Sequence, residues 1–127
     1  MTSVLANIAV DCTDPDRLAQ FWCAVLGWEV LESDDGIVSI GLPDGPGSGP
    51  GHPAGIDLLE VAEPTAGKNR LHLDLRAAPG TSTQEELARL DPLGATRADV
   101  GQDPEVSWTV LADPEGNVFC LLGTGRG

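Results

Sequence analysis

Residues Arg70 to Arg76 (RLHLDLR) alternate strictly between polar and apolar types. In an extended strand, successive side chains point to opposite sides. His72, Asp74 and Arg76 therefore share one face, and Leu71, Leu73 and Leu75 share the other. The leucines suit a core against helices, and the polar trio must line something wet or functional. An imidazole two residues from a carboxylate is equipped for acid–base work near neutral pH or for metal ligation. The structural alternative is a His72 satisfied by a hydrogen bond to Asp74 or to a neighbouring strand. Asp11 and Asp74 are open between two roles, joint binding of a cationic ligand or pairing with Arg70 or Arg76.

The thiols are Cys12, Cys23 and Cys120, widely spaced and without a CxxC or CxH pattern. Neither a zinc knuckle nor a disulfide framework is signalled, and reduced thiols are the simplest account. Cys120 is either a nucleophile or a small buried core thiol. The core role is the simpler one, because His52 is the only histidine besides His72 and falls in a Gly/Pro-rich stretch. Trp28 and Trp108 could clamp a flat ligand, or serve as core or dimer-interface surface; Trp22 belongs to the core. The run Gly45 to Gly51 (GPGSGPG) lacks the Gly-Lys-Ser/Thr that completes a phosphate-cradling loop.

The elements that must position these residues come in two sets. Val4 to Asp11 alternates as a strand, with Asn7, Ala9 and Asp11 opposite Ile8, Val10 and Cys12. Thr13-Asp14-Pro15 has the form of a helix start, and Leu18, Phe21, Trp22, Val25 and Leu26 recur at helical spacing before Gly27. Trp28–Leu31, Ile37–Leu42 and Ile56–Val61 read as strands, with a turn at Ser33 to Gly36 and an irregular loop from Pro43 to Gly55. The second half repeats the order. Strand Arg70–Arg76 precedes a helix over Thr83–Leu90, and strands follow at Ala95–Val100, Val106–Leu111 and Asn117–Leu122. The pairs Leu26-Gly27 and Leu93-Gly94 lie 67 residues apart, and Asn7 and His72 lie 65 apart. Internal duplication accounts for that agreement.

Charge removes whole classes of partner. The 127 residues carry 20 acids against 7 Lys plus Arg, for a net charge of −13. Lys68 is the only lysine, and residues 1–64 hold Arg17 as their single basic residue against eleven acids. Nucleic acid and anionic membrane, which need basic surface, are excluded as expected partners. The acidity favours metal ions or cationic small molecules, or is simply a solvated surface. No apolar run approaches the roughly 20 residues of a membrane span. The N-terminus lacks the form of a secretory signal, so a cytoplasmic location is expected.

Three motifs carry a family resemblance: Asp14-Pro15 with Phe21-Trp22 and Leu26-Gly27-Trp28; Lys68 to Leu75 (KNRLHLDL); and Asp113 to Asn117 (DPEGN) leading into Cys120. With the duplicated βαβββ order, they resemble the vicinal-oxygen-chelate superfamily, in particular its glyoxalase-like branch, across essentially the whole chain. The resemblance implies an α+β fold, one glyoxalase-like domain over 1–127 with modules 4–61 and 69–122. Its two tandem modules would form a cupped mixed sheet with helices on the convex side. It also implies a divalent metal held by His, Gln or Glu at matching strand positions. Those positions fall on Asn7, on Leu59 or Glu60, on His72 and on Cys120. His72 and Glu60 are the good metal ligands among them, so the set reads as incomplete.

The expected function is binding of a small molecule in the concave cup, similar to antibiotic-sequestering members of the superfamily. Asn7, Asp11, Arg76, Trp108 and Cys120 would contact the ligand. The alternative is a lyase, isomerase or dioxygenase, either metal-dependent or using His72 and Asp74 as an acid–base pair. An interaction module with a vacant cup is the third possibility. A homodimer is expected by resemblance.

Overall fold

The computed structural model describes residues 2–3, 5–43, 54–63, 71–98 and 109–123. The chain divides into two compact units, Met1–Thr65 and Ala66–Gly127. The fold is α+β, with two four-stranded mixed sheets and two helices among the described residues, as two tandem βαβββ modules require. No helix among them is long and apolar enough to cross a membrane.

The first unit runs β1 (Asn7–Cys12), α1 (Pro15–Leu26), β2 (Glu29–Asp34), β3 (Ile37–Gly41) and β4 (Gly55–Glu60). Its sheet has the order β1-β4-β3-β2, with β1 parallel to β4 and the other neighbours antiparallel. The α1 start follows from local chemistry. Asp14 accepts a hydrogen bond from the Arg17 N–H at 3.2 Å, and Pro15 occupies the first turn, where its missing N–H costs nothing. Gly27 ends the helix in a left-handed conformation (φ 70°) that strains other residues, and its N–H reaches the Cys23 carbonyl at 2.9 Å. Leu18, Ala19, Phe21, Trp22 and Val25 are buried with Val38, Ile40, Ile56 and Leu58. Trp22 meets Phe21 edge-to-face, with ring centroids 5.0 Å apart, as a core residue. The opposite face of the sheet carries Asn7, Ala9 and Asp11, which alternate with Ile8, Val10 and Cys12 as expected.

The second unit repeats the topology as β5 (Leu73–Leu75), α2 (Thr83–Leu93), β6 (Thr96–Arg97), β7 (Thr109–Ala112) and β8 (Val118–Leu121). The strand order β5-β8-β7-β6 and the parallel β5–β8 pair match the first sheet. Ser82 and Glu85 form a reciprocal capping box on α2: the Ser82 oxygen accepts from Glu85 N–H at 3.0 Å, and the Glu85 carboxylate from Ser82 N–H at 2.8 Å. The helix continues past the expected end at Leu90 and takes in Pro92. A proline in the last turn gives up little, and Gly94 and Ala95 N–H groups close the end on Asp91 and Leu90 carbonyls at 3.1 and 3.2 Å.

Two expectations change here. The strand over Arg70–Arg76 shortens to Leu73–Leu75, because β8 supplies ladder partners only for those three residues. Leu71, assigned to the helix-facing side, is 86% exposed. Leu73 and Leu75 are half-buried, and Phe119 and Leu121, their partners on β8, are buried. Arg70, most of the Pro43–Gly55 loop, His52 and Trp108 lie outside the described residues.

Candidate functional site

The parallel ladder sets Asp74 of β5 directly beside Cys120 of β8. Paired residues point to the same side of a sheet, and His72, two residues before Asp74, follows suit. The His72 Nε2, an Asp74 carboxylate oxygen and the Cys120 Sγ thus converge, all within 4.8 Å of one another. His72 Nε2 and Asp74 Oδ1 are 3.2 Å apart, with both side chains about half exposed. Cys120 is buried beneath them at 6% exposure. The site therefore has a wet rim of imidazole and carboxylate and a dry floor of sulfur.

The β7–β8 hairpin fixes the position of that sulfur. Asp113, 4% exposed, accepts from Glu115 N–H and Asn117 N–H at 2.9 Å and from the Asn117 side-chain amide at 3.0 Å. Gly116 takes the positive φ of 87° that the turn needs. The DPEGN segment is thus a closed hydrogen-bonded turn, and the first residues of β8 lead from it to Cys120.

On the first sheet the corresponding face carries a different cluster. Asp57 of β4 accepts from the Ser39 hydroxyl at 2.7 Å and from the Asn7 amide at 2.9 Å. Sequence reasoning missed both Asp57 and Ser39. The register explains why Asp57 matters: Ala9 pairs with Asp57 just as Asp74 pairs with Cys120, and Ala9 and Asp74 occupy the same repeat position. Asp57 is therefore the repeat counterpart of Cys120. Leu59 pairs with Asp11 and so shares that face with Asp57. Glu60 pairs with Cys12, which puts it on the other face from Asn7 and Asp11. The signal was available in Ile56-Asp57-Leu58, where one acid interrupts buried apolar neighbours.

Asp11 is exposed and paired with Leu59 on the Asn7 face, and Arg76 is exposed just after β5. Trp28 is half-buried after α1, its N–H bonded to the Cys23 carbonyl at 3.1 Å. The other thiols are set apart by environment. Cys12 is wholly buried and its Sγ lies 3.6 Å from the Leu59 carbonyl. Burial, and then the Glu29 carboxylate, push the Cys23 thiol above its ordinary 9.0. A cleft of about 450 Å³ lies elsewhere, lined by Leu87, Leu90, Asp91, Arg97 and Leu111 among others. Leu111 pairs with Phe119, so that cleft opens on the face opposite Cys120.

The donor set suits a divalent metal. Imidazole, carboxylate and thiolate are all accepted ligands of zinc-type ions, and three protein donors leave a position open for a further molecule. Bonds of about 2.0–2.2 Å put adjacent nitrogen and oxygen donors about 2.8–3.6 Å apart, from octahedral to tetrahedral geometry. The 3.2 Å contact between His72 and Asp74 falls in that range.

A duplicated βαβββ sheet with polar donors on strand faces defines the class, and comparison with known proteins gives the family. The model of the glyoxalase-like domain family matches residues 7–122, and the chain belongs to that family. The chain is similar to a glyoxalase-related enzyme from Fulvimarina pelagi, at 14% identity over 97% of this chain and 89% of that one, with a TM-score of 0.65. It is also similar to a glyoxalase/bleomycin resistance protein/dioxygenase family enzyme from Burkholderia phytofirmans, at 20% identity over 95% and 98% and a TM-score of 0.64. A third similar structure is a mutant fosfomycin resistance protein, FosX, from Listeria monocytogenes, complexed with Mn(II) and 1S,2S-dihydroxypropylphosphonic acid. It shows 15% identity over 99% and 94%, and a TM-score of 0.68. At these identities the likeness concerns the fold. No curated protein matches the chain.

Proposed function

We propose that this chain binds a small molecule through a divalent metal held by His72, Asp74 and Cys120. The single observation that supports it is the convergence of three ligating atoms of different chemistry within 4.8 Å on one face of the second sheet. When bound, the metal supplies positive charge and an open coordination position for oxygen donors of the ligand. His72 and Asp74 hold the rim, and their exposure leaves them open to an incoming molecule. The buried Cys120 anchors the floor. The similar fosfomycin resistance protein, complexed with Mn(II) and a dihydroxylated phosphonic acid, lends the reading support by likeness. Small molecules with two adjacent oxygen donors are the ligand class that fits.

A second reading is favoured by the 3.2 Å contact itself: Asp74 orients His72 as a metal-free acid–base pair for a lyase or isomerase reaction. One experiment separates them. Calorimetric titration of metal-stripped protein should show one equivalent of metal bound, and His72→Ala should abolish it. Absence of binding, or a His72→Ala variant that binds unchanged, overturns the metal reading and leaves the acid–base pair.

A further inference from the structure

We infer that the site is built for a thiophilic ion of the zinc and cobalt(II) type rather than for manganese or magnesium; this rests on the metal-binding reading above. Magnesium and manganese prefer six oxygen-rich donors, whereas imidazole and thiolate favour softer ions at low coordination number. Here two of the three converging donors are His72 nitrogen and Cys120 sulfur, and only Asp74 offers oxygen.

Burial favours the same ion. The sulfur is the buried member of the three, set at the sheet surface by the Asp74–Cys120 pairing of the parallel ladder. Cys120 would hold the ion as the thiolate, its proton passing to the buffer, since the thiolate is the ligating form. The site therefore combines a fixed soft donor with two hard or borderline donors at the rim. By contrast, the equivalent position on the first sheet is Asp57, which already accepts hydrogen bonds from Ser39 and Asn7. At this position the two modules differ, with a carboxylate in the first and a thiol in the second.

Zinc outcompetes manganese at most nitrogen and oxygen sites too, so preference alone is not diagnostic. The test is cobalt(II) added to metal-stripped protein, read by absorption, with proton release counted by calorimetry in buffers of different ionisation enthalpy. The expected result is a sulfur-to-cobalt charge-transfer band in the near ultraviolet, with intense visible bands of a four-coordinate ion, both removed by zinc. Cys120→Ser should erase the charge-transfer band and weaken zinc at least about tenfold while changing manganese little. Circular dichroism checks that the variant is folded. If it is not, the charge-transfer band and the proton released per cobalt ion in the unsubstituted protein decide the matter by themselves. Weak six-coordinate bands without charge transfer, or a Cys120→Ser zinc-to-manganese ratio equal to wild type, overturns the inference while leaving metal binding standing. No metal uptake at all overturns both.

Discussion

Asp74 and Cys120 are direct partners across a parallel ladder, and that one pairing brings a carboxylate and a thiol to the same side of the second sheet. His72 joins them through the two-residue period of β5, with its Nε2 3.2 Å from Asp74. Three residues separated by up to 48 positions in the chain thus become neighbours through strand register alone. Every expectation about the chemistry of this protein follows from how firmly the surrounding elements hold that register.

The turn before β8 is the first place to test it. Asp113→Ala removes a buried acceptor of three hydrogen bonds and leaves two backbone N–H groups without their partner. The expected cost is about 2–3 kcal/mol, a fall of several degrees in melting temperature by circular dichroism. Asp113→Asn retains one acceptor oxygen and should cost less. Equal melting of wild type and Asp113→Ala would show that the turn closes without this carboxylate.

The cluster on the first sheet gives an independent test. Asp57→Ala strands the Ser39 hydroxyl and the Asn7 amide and should destabilise by about 1 kcal/mol. Combining it with Ser39→Ala should cost less than the two single changes together, because they share one contact. Chemical denaturation of the four proteins measures this, and strict additivity would contradict the contact. Metal uptake by the second unit should be unaffected.

The start of α2 carries a pH signature. Hydrogen bonds from the Ser82 backbone and then its side chain hold the Glu85 carboxyl below its ordinary 4.5. A lowered folded value means that its stabilisation is present above pH 4.5 and is lost as pH falls through the lower value. Glu85→Gln should therefore flatten the melting-temperature profile below pH 4.5 and leave its shape unchanged near neutrality. Ser82→Ala should cost about 1 kcal/mol at neutral pH by removing the cap itself. An acid limb of the same size in wild type and Glu85→Gln would show that the cap does not titrate.

Cys23 should be a slow thiol. Its ionisation is raised by burial and then by Glu29, so alkylation should stay slow below pH 9 and accelerate above it. Glu29→Gln removes the second cause and should move the rise to lower pH. Because the folded value is raised, the linked stability is constant below pH 9.0 and declines as pH climbs through the folded value. Site-resolved mass spectrometry of iodoacetamide adducts measures the rate. Labelling of Cys23 as fast as a free thiol near neutrality would contradict its raised ionisation.

Periodicity revealed the elements but not where strand partners stop. The helical recurrence of Leu18, Phe21, Trp22 and Val25 marks α1, and the Asp14 cap and Gly27 mark its ends. The period-two pattern assigns His72 and Asp74 to one face, and DPEGN marks the turn before Cys120. Leu71 shows the limit: alternation assigns its side, yet its 86% exposure depends on β8 starting its pairing with β5 at Leu73. Pro92 shows another, since a proline in a helical pattern reads as a stop, whereas the Gly94 closure lets the last turn accommodate it. Asp57 is not legible in the sequence because the strand register fixes the middle-strand position only to within one residue, on Leu59 or Glu60. The ladder makes Asp57 the repeat counterpart of Cys120, and register is a tertiary fact.

The measurement that bears most directly on the central claim is anomalous diffraction from crystals of the metal-stripped protein soaked in zinc, recorded at the zinc absorption edge. One strong anomalous peak is expected within about 2.0–2.3 Å of His72 Nε2, an Asp74 oxygen and Cys120 Sγ together. A crystal with no peak at these residues, or with its zinc bound only elsewhere on the acidic surface, would contradict it.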